Sequence, residues 1–219
     1  MVLAASLIYF AVLGGILFVS AGRLNLPMFW AYLVVTVVLS SLTLLLLYRH
    51  SPGLIKERLH PGPGEQDRLT IPLVILILVM HLGIAGLDVG RFHWSGKMPQ
   101  PVQFLGLIGY AIGLGLFSWA MLVNQFFSSA VRIQADRNQY VVTAGPYRYV
   151  RHPGYSGAIL YLLCSGLALG SWWSILPVLF AVADVIRRTR LEDRMLQEEL
   201  SGYTEYAQKV RYRLVPGWW

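Results

Sequence analysis

Acidic side chains are scarce in this chain. Asp and Glu number 11 against 18 Lys and Arg, and charged residues together fill only 13% of 219 positions, where soluble domains carry about a quarter. Cysteine is scarcer still. The single Cys164 lies inside an apolar run, so no disulfide can form within the chain, and a lone buried thiol is ordinarily inert packing. Common site motifs are missing as well. Without HExxH, CxxC or a set of histidines at ligand spacing, a metal site has no support, and without GxGxxG between a strand and a helix a Rossmann cofactor site is absent. No basic stretch precedes the first apolar run, since the first charge is Arg23. This argues against a cleaved signal peptide, and the run is expected to stay as the first span.

What the chain has instead is length of apolar sequence. Hydrophobic residues make up 56%. Val2–Ala21 and residues 28–47, 71–87 and 102–123 each approach the roughly 20 residues that cross a bilayer core. Residues 155–185 are apolar again but are interrupted at Gly170, Ser171, Trp172 and Trp173. At about 1.5 Å per residue, neither half comfortably spans alone, so a helical hairpin, 155–169 and 174–187, is expected. The reading is an all-α, polytopic integral membrane protein with four spans and a C-terminal transmembrane hairpin. It forms one domain over residues 1–219, with N-terminal spans to 123 and the chemistry in 124–219.

Charge sets the expected orientation. Fifteen Lys and Arg fall in the 48–69 loop, the 124–154 loop and the C-terminal tail, against three (Arg23, Arg91, Lys97) on the other side. The positive-inside rule then puts both termini and both large loops in the cytoplasm. The net charge of +7 is accounted for by anionic headgroups, and no nucleic-acid partner is required.

Within the second half, TAGPY should be a turn because Gly145–Pro146 disfavours a helix. Pro153 sits where a first-turn proline is tolerated. The last long helix should continue out of the membrane through residues 187–200, with Gly202 as its stop. The tail alternates aromatic and basic residues, which suits an amphipathic interfacial piece. The 60–67 linker carries no recognisable chemistry.

Candidate chemistry centres on TAGPYRYVRHPGY, residues 143–155. Arg151 and His152 offer a guanidinium fork and an imidazole at a helix entrance, a ready carboxylate or phosphate site; the plainer reading is contact with lipid headgroups. Glu192 and Asp193 follow one apolar segment later. As neighbours on a helix they point about 100° apart and cannot face one ligand equally. Asp184, Arg188 and Glu192 share a face, either as a self-satisfied charge ladder or with Glu192 toward a ligand and Arg188 toward a substrate. Glu198 and Glu199 read as a solvated face. His81 and Asp88, seven residues apart on one helical face, read as structural hydrogen-bonding groups.

GPYRYVRHPGY, an apolar hairpin and then RTRLEDRMLQEELSGYTEYAQKVRYRLVPGWW resemble the isoprenylcysteine carboxyl methyltransferase family. Membrane phospholipid methyltransferases share the broader pattern. The likeness covers residues 124–219. It implies an S-adenosylmethionine-dependent membrane methyltransferase with a cytoplasmic cofactor pocket, in which Arg151, His152 and Tyr155 meet the cofactor. The 142–147 turn, with Val142, Gly145 and Tyr147, would lie beside the adenosine, and Glu192 would reach the amino-acid or ribose part. An arginine among 187, 188 and 190 would meet the substrate carboxylate, with Arg188 preferred because it shares the face of Glu192. Asp193 stands where a second glutamate is usual, and its shorter side chain makes it the expected bystander.

The implied substrate is a prenylated cysteine or similar small lipid bearing a carboxylate. Such a group is already ionised near neutral pH and needs no base, whereas a phospholipid amine must first lose a proton, for which Glu192 is the candidate. The competing readings are an NADPH-dependent sterol-type reductase and a non-catalytic lipid-binding protein.

Overall fold

The computed structural model describes residues 2–59 and 70–219, and the 60–67 linker lies outside them. Among the described residues there are eight α-helices: α1 Val2–Ala21, α2 Pro27–His50, α3 Pro52–Leu59, α4 Thr70–Leu87, α5 Gln100–Val123, α6 Pro153–Leu169, α7 Ile175–Glu199 and α8 Tyr203–Lys209. One π-helical turn, Asp88–Phe92, extends α4, and a 3₁₀ turn at Gly145–Arg148 occupies the expected TAGPY turn.

Three of the helical stretches are long and apolar enough to cross a bilayer: Pro27–His50, Pro72–Phe92 and Gln100–Val123. Leu7–Ala21 and Pro153–Leu169 are shorter apolar helices. The faces of α2 and α5 support a lipid surround. Val34, Val38 and Leu42 on α2, and Leu105, Ile108 and Ile112 on α5, are exposed in rows along their helices. Apolar stripes turned outward are costly in water and natural in hydrocarbon. The chain is an integral membrane protein.

Inside the bundle, the helices meet through small residues and hydroxyls, as expected where lipid removes the hydrophobic drive between helices. A methyl group on Gly157 of α6 would lie 2.6 Å from the carbonyl oxygen of Gly113 on α5. That close approach needs glycine on both sides. Thr36 and Tyr110 share a hydrogen bond of 2.8 Å between α2 and α5, and Thr43 donates to Ser118 at 2.8 Å one level along. Leu13, Leu17, Phe29, Leu33 and Leu82 fill the core among α1, α2 and α4.

Gly170, at φ +80°, caps α6 and turns the chain into α7. The turn is tied to α4: His81 Nδ1 lies 2.8 Å from the Ser174 carbonyl, and Asp88 accepts hydrogen bonds from the Ser95 amide (2.8 Å), the Ser95 hydroxyl and the Ser171 hydroxyl (2.6 Å). His81 and Asp88 are therefore structural, each bonded to the turn or its neighbourhood rather than to the other. Helix α7 then runs unbroken to Glu199, and Gly202, at φ +80°, separates it from α8.

The tail folds back onto the α6 entrance, where the Arg151 and His152 amides donate to the Tyr212 and Arg213 carbonyls, each at 2.9 Å. Tyr203 and Tyr206 of α8 are buried against Leu196 of α7.

Candidate active site

His152 caps α6 and Pro153 is its first residue, so the arginine–histidine pair stands at the helix entrance. The fully buried carboxylate of Asp193 on α7 occupies the centre. Arg151 grips it with both arms, Nε to Oδ1 at 2.7 Å and Nη2 to Oδ2 at 3.0 Å. Arg213 Nε donates to Oδ2 at 2.7 Å, Gln197 Nε2 to Oδ2 at 3.0 Å and the Tyr203 hydroxyl to Oδ1 at 3.1 Å. His152 Nε2 lies 3.2 Å from Oδ1, and with a carboxylate as acceptor that nitrogen carries the donated proton.

Burial alone would raise the Asp193 carboxyl. Hydrogen bonds from His152, Arg151 and Arg213 outweigh it and hold the group well below the usual carboxylate range. Tyr203 is pushed the other way, up from its ordinary value, by burial and then by the Asp193 charge.

Two expectations change here. Asp193 is no bystander: it is the hub of the knot, and its short side chain suits a carboxylate held close to α7 while longer donors reach it. Arg151 does not offer a free fork. Its Nη1 donates to the Val210 and Arg211 carbonyls at 2.9 and 2.8 Å, so every guanidinium nitrogen is engaged with the protein.

Glu192 sits at the edge of this knot, its Oε1 3.9 Å from His152 Nδ1, and faces a cavity of about 380 Å³. That size falls within the range of small-molecule sites. The Tyr155 hydroxyl donates to Glu192 Oε2 at 2.6 Å, and the Tyr155 ring stacks on His152 with centroids 5.8 Å apart. Glu192 keeps 30% of its side chain exposed, so it is fixed yet open. Val142, Tyr147, Arg151, His152, Tyr155, Arg188 and Glu192 all line the cavity. Tyr147 is set by Asn124, which donates to its hydroxyl at 3.1 Å, and by Tyr206, which donates to its carbonyl at 2.7 Å.

Gly145 is not in the cavity wall. It has φ +57°, and a Cβ there would meet the Val123 side chain at 3.0 Å, so its part is to make the turn. The three candidate arginines separate. Arg187 bonds Asp184 at 2.7 Å, and Arg190 lies over the Trp219 ring at 5.4 Å. Arg188 faces the cavity and donates from Nη2 to the Ser129 carbonyl at 2.8 Å. Asp184 bonds Arg187 and Glu192 accepts from Tyr155, so Arg188 makes no close ion pair in the Asp184–Arg188–Glu192 ladder, although both carboxylates still attract it. Glu198 pairs with Arg194 at 2.7 Å on an open surface, as expected of a solvated face.

Sequence reasoning missed α3. Glu57, buried on that helix, forms a two-armed ion pair with Arg132 at 3.1 and 3.0 Å and accepts from Ser128 at 2.9 Å. Arg132 also holds Asp136 at 2.7 Å. These bonds fix the 126–142 segment that forms one wall of the cavity. Arg213, Tyr203 and Gln197 were missed too; basic and aromatic residues in a tail carry no periodic signal of which buried acid they reach.

Residues 102–201 match the family model described as phospholipid methyltransferase. Two rice proteins, from Oryza sativa subsp. indica and subsp. japonica, each named probable protein-S-isoprenylcysteine O-methyltransferase, are 30% identical over 117 residues. The match takes in 50% of this chain and 59% of each rice protein. The cobalt-zinc-cadmium resistance protein CzcN of Cupriavidus metallidurans is 29% identical over 137 residues, 61% of this chain and 58% of that protein. The chain thus spans a little under three-fifths of the length of the curated relatives it matches. Over these stretches the chain is similar to phospholipid methyltransferases and to proteins named probable protein-S-isoprenylcysteine O-methyltransferase.

Proposed function

We propose that the protein is an S-adenosylmethionine-dependent methyltransferase that esterifies the carboxylate of a lipid-like substrate, a prenylated cysteine or a similar small lipid. One observation carries this reading: a single cavity joins Glu192, Tyr155, Tyr147 and Arg188 to apolar wall residues of α4, Val74 and Ile75. A polar cofactor and an apolar substrate could meet only in a space with both kinds of wall.

The side chains fit the cofactor's chemistry. The part-open Glu192 carboxylate suits an ammonium group or ribose hydroxyls, and Tyr147, Tyr155 and Phe126 offer aromatic faces to an adenine ring or a sulfonium. When bound, S-adenosylmethionine supplies a methyl group on a positively charged sulfur. The chain's own part is placement. Tyr155 holds Glu192, Asp193 holds His152 and Arg151 as a rigid floor, and Arg188 orients the substrate carboxylate in line. Apolar walls limit water around that carboxylate and keep it nucleophilic. Arg151 is a positioning residue in this scheme, because its donors are spent inside the protein. The count of basic residues supports a cytoplasmic cavity and cytoplasmic termini.

The test is binding of S-adenosylmethionine and of NADPH to the purified protein in detergent. The proposal predicts saturable binding of the first, weakened by Glu192→Gln. Binding of NADPH alone would favour a reductase, and binding of neither a lipid-binding role. Methyl transfer to a phospholipid amine rather than to a farnesylcysteine analogue would reassign the acceptor.

A further inference from the structure

Besides Arg132, Arg151 and Arg188, the cavity is lined by an arginine that lies outside the matched segment. Arg58, near the end of α3, lines it together with Arg188. The two guanidiniums approach the same short stretch of the 126–142 segment. Arg58 Nη1 donates to the Phe127 carbonyl at 3.1 Å and Arg188 Nη2 to the Ser129 carbonyl at 2.8 Å. Arg58 also lies 5.6 Å over the Phe127 ring, and its own carbonyl accepts from the Ser129 hydroxyl at 3.4 Å.

Among the described residues, neither arginine has a carboxylate within ion-pair distance. Two of the nearby acids are paired with other arginines, Glu57 with Arg132 and Asp184 with Arg187, and Glu192 accepts a hydrogen bond from the neutral Tyr155 hydroxyl. Glu192 and Asp184 line the same cavity and attract Arg188, but neither is within ion-pair distance of Arg58, and an anion placed between the two guanidiniums relieves their mutual repulsion. Burial draws the Arg58 guanidinium down from its ordinary value, and the Arg188 charge acts in the same direction.

We propose that Arg58 and Arg188 form a paired-arginine grip for the anionic headgroup of the substrate, so that α3 selects carboxylate-bearing lipids over neutral or cationic ones. The proposal rests on the reading of the cavity as a lipid-methylating site and adds a specificity residue to it. It also gives the Glu57–Arg132 pair a purpose. That pair fixes α3 against the cavity wall, and with it the position of Arg58.

The test is equilibrium binding of N-acetyl-farnesylcysteine and of its methyl ester to the full chain in detergent, with phosphatidylethanolamine as a third ligand. Wild type should prefer the free acid over the ester by about tenfold or more, the usual scale for a charge-assisted hydrogen bond. Arg58→Gln should reduce that preference to about twofold, while S-adenosylmethionine affinity and unfolding temperature stay near wild type. Arg58→Lys should keep most of it, and covers the case in which the Gln variant fails to fold. An unchanged preference in Arg58→Gln, or none in wild type, overturns the grip. Tighter binding of phosphatidylethanolamine than of the acid, lost in Arg58→Gln, would move the site to a phosphodiester and overturn the carboxylate assignment. Failure of methyl transfer with the acid preference intact would instead count against the methyltransferase reading and leave the grip standing.

Discussion

Asp88 and Asp193 are both fully buried, yet their surroundings differ in kind. Asp88, where α4 gives way to its π-helical turn, is met by an amide and hydroxyl groups from Ser95 and Ser171. Asp193, near the other end of the α6–α7 pair, is met by two arginines, a histidine, a tyrosine and a glutamine. Helix α6, with 17 residues, separates the two groups by about 25 Å. One carboxylate is a staple for a turn. The other gathers cations from α6 and from the tail, and so builds the floor of a cavity. Burial of an acid does not by itself indicate catalysis; the donors around it, and the space beside it, distinguish the two ends.

The largest effect should come from removing the hub. Asp193→Ala strands Arg151 and His152 in a buried setting and should cost about 3–5 kcal/mol, the scale for breaking a buried ion pair from one side, read by denaturant unfolding in mild detergent. Asp88→Ala should cost less, about 1–3 kcal/mol, because no ion is left without its partner. It should leave S-adenosylmethionine affinity unchanged in protein that still folds. A loss of affinity as large as that of Asp193→Ala would erase the contrast between the two ends.

Acidity sharpens the contrast further. The Asp193 carboxyl is depressed in the folded state, so its contribution is complete above the unfolded value of about 3.9 and is lost as pH falls below it toward the folded value. From about pH 4 downward, wild type should therefore lose stability more steeply than Asp193→Asn. Parallel curves would show that the carboxylate is not held as the geometry requires.

Smaller in stability, but decisive for function, is the neighbouring acid. Glu192→Gln keeps an acceptor for Tyr155 and should alter stability by less than about 1 kcal/mol, while weakening S-adenosylmethionine binding roughly tenfold. Last, Arg190→Ala removes one of two guanidiniums lying over Trp219. It should cost about 0.5–1 kcal/mol with methyl transfer intact, as expected of an arginine outside the cavity wall; a large loss of methyl transfer would put Arg190 in the site.

The helices were legible because apolar runs, Gly170 and Pro153 act locally. The expected Val2–Ala21 helix, the break at 170–173 and the continuation of α7 toward Gly202 all have counterparts in the structure. The cavity was legible in part: seven of the eight residues singled out line it, and Gly145 stands behind it. What escaped was pairing at a distance. Glu57 and Arg132 lie 75 residues apart, and nothing in either one's neighbours announces the other. Asp193 does not line the cavity, in keeping with the doubt about a direct ligand role, but its service to Arg151 and Arg213 escaped because side-chain length was weighed only against a ligand. Helix geometry did separate Glu192 from Asp193, since adjacent positions diverge by about 100°, but it could not say which of them faced the cavity.

The central claim is that this cavity brings a sulfonium methyl group to a lipid carboxylate. Its most direct test is incubation of the purified protein with S-adenosylmethionine carrying a labelled methyl group and a farnesylcysteine analogue, followed by measurement of base-labile label in the lipid. The account predicts labelled methyl ester from wild type and a large loss in Glu192→Gln. Absence of label in the lipid with folded wild-type protein, at saturating concentrations of both compounds, would contradict it.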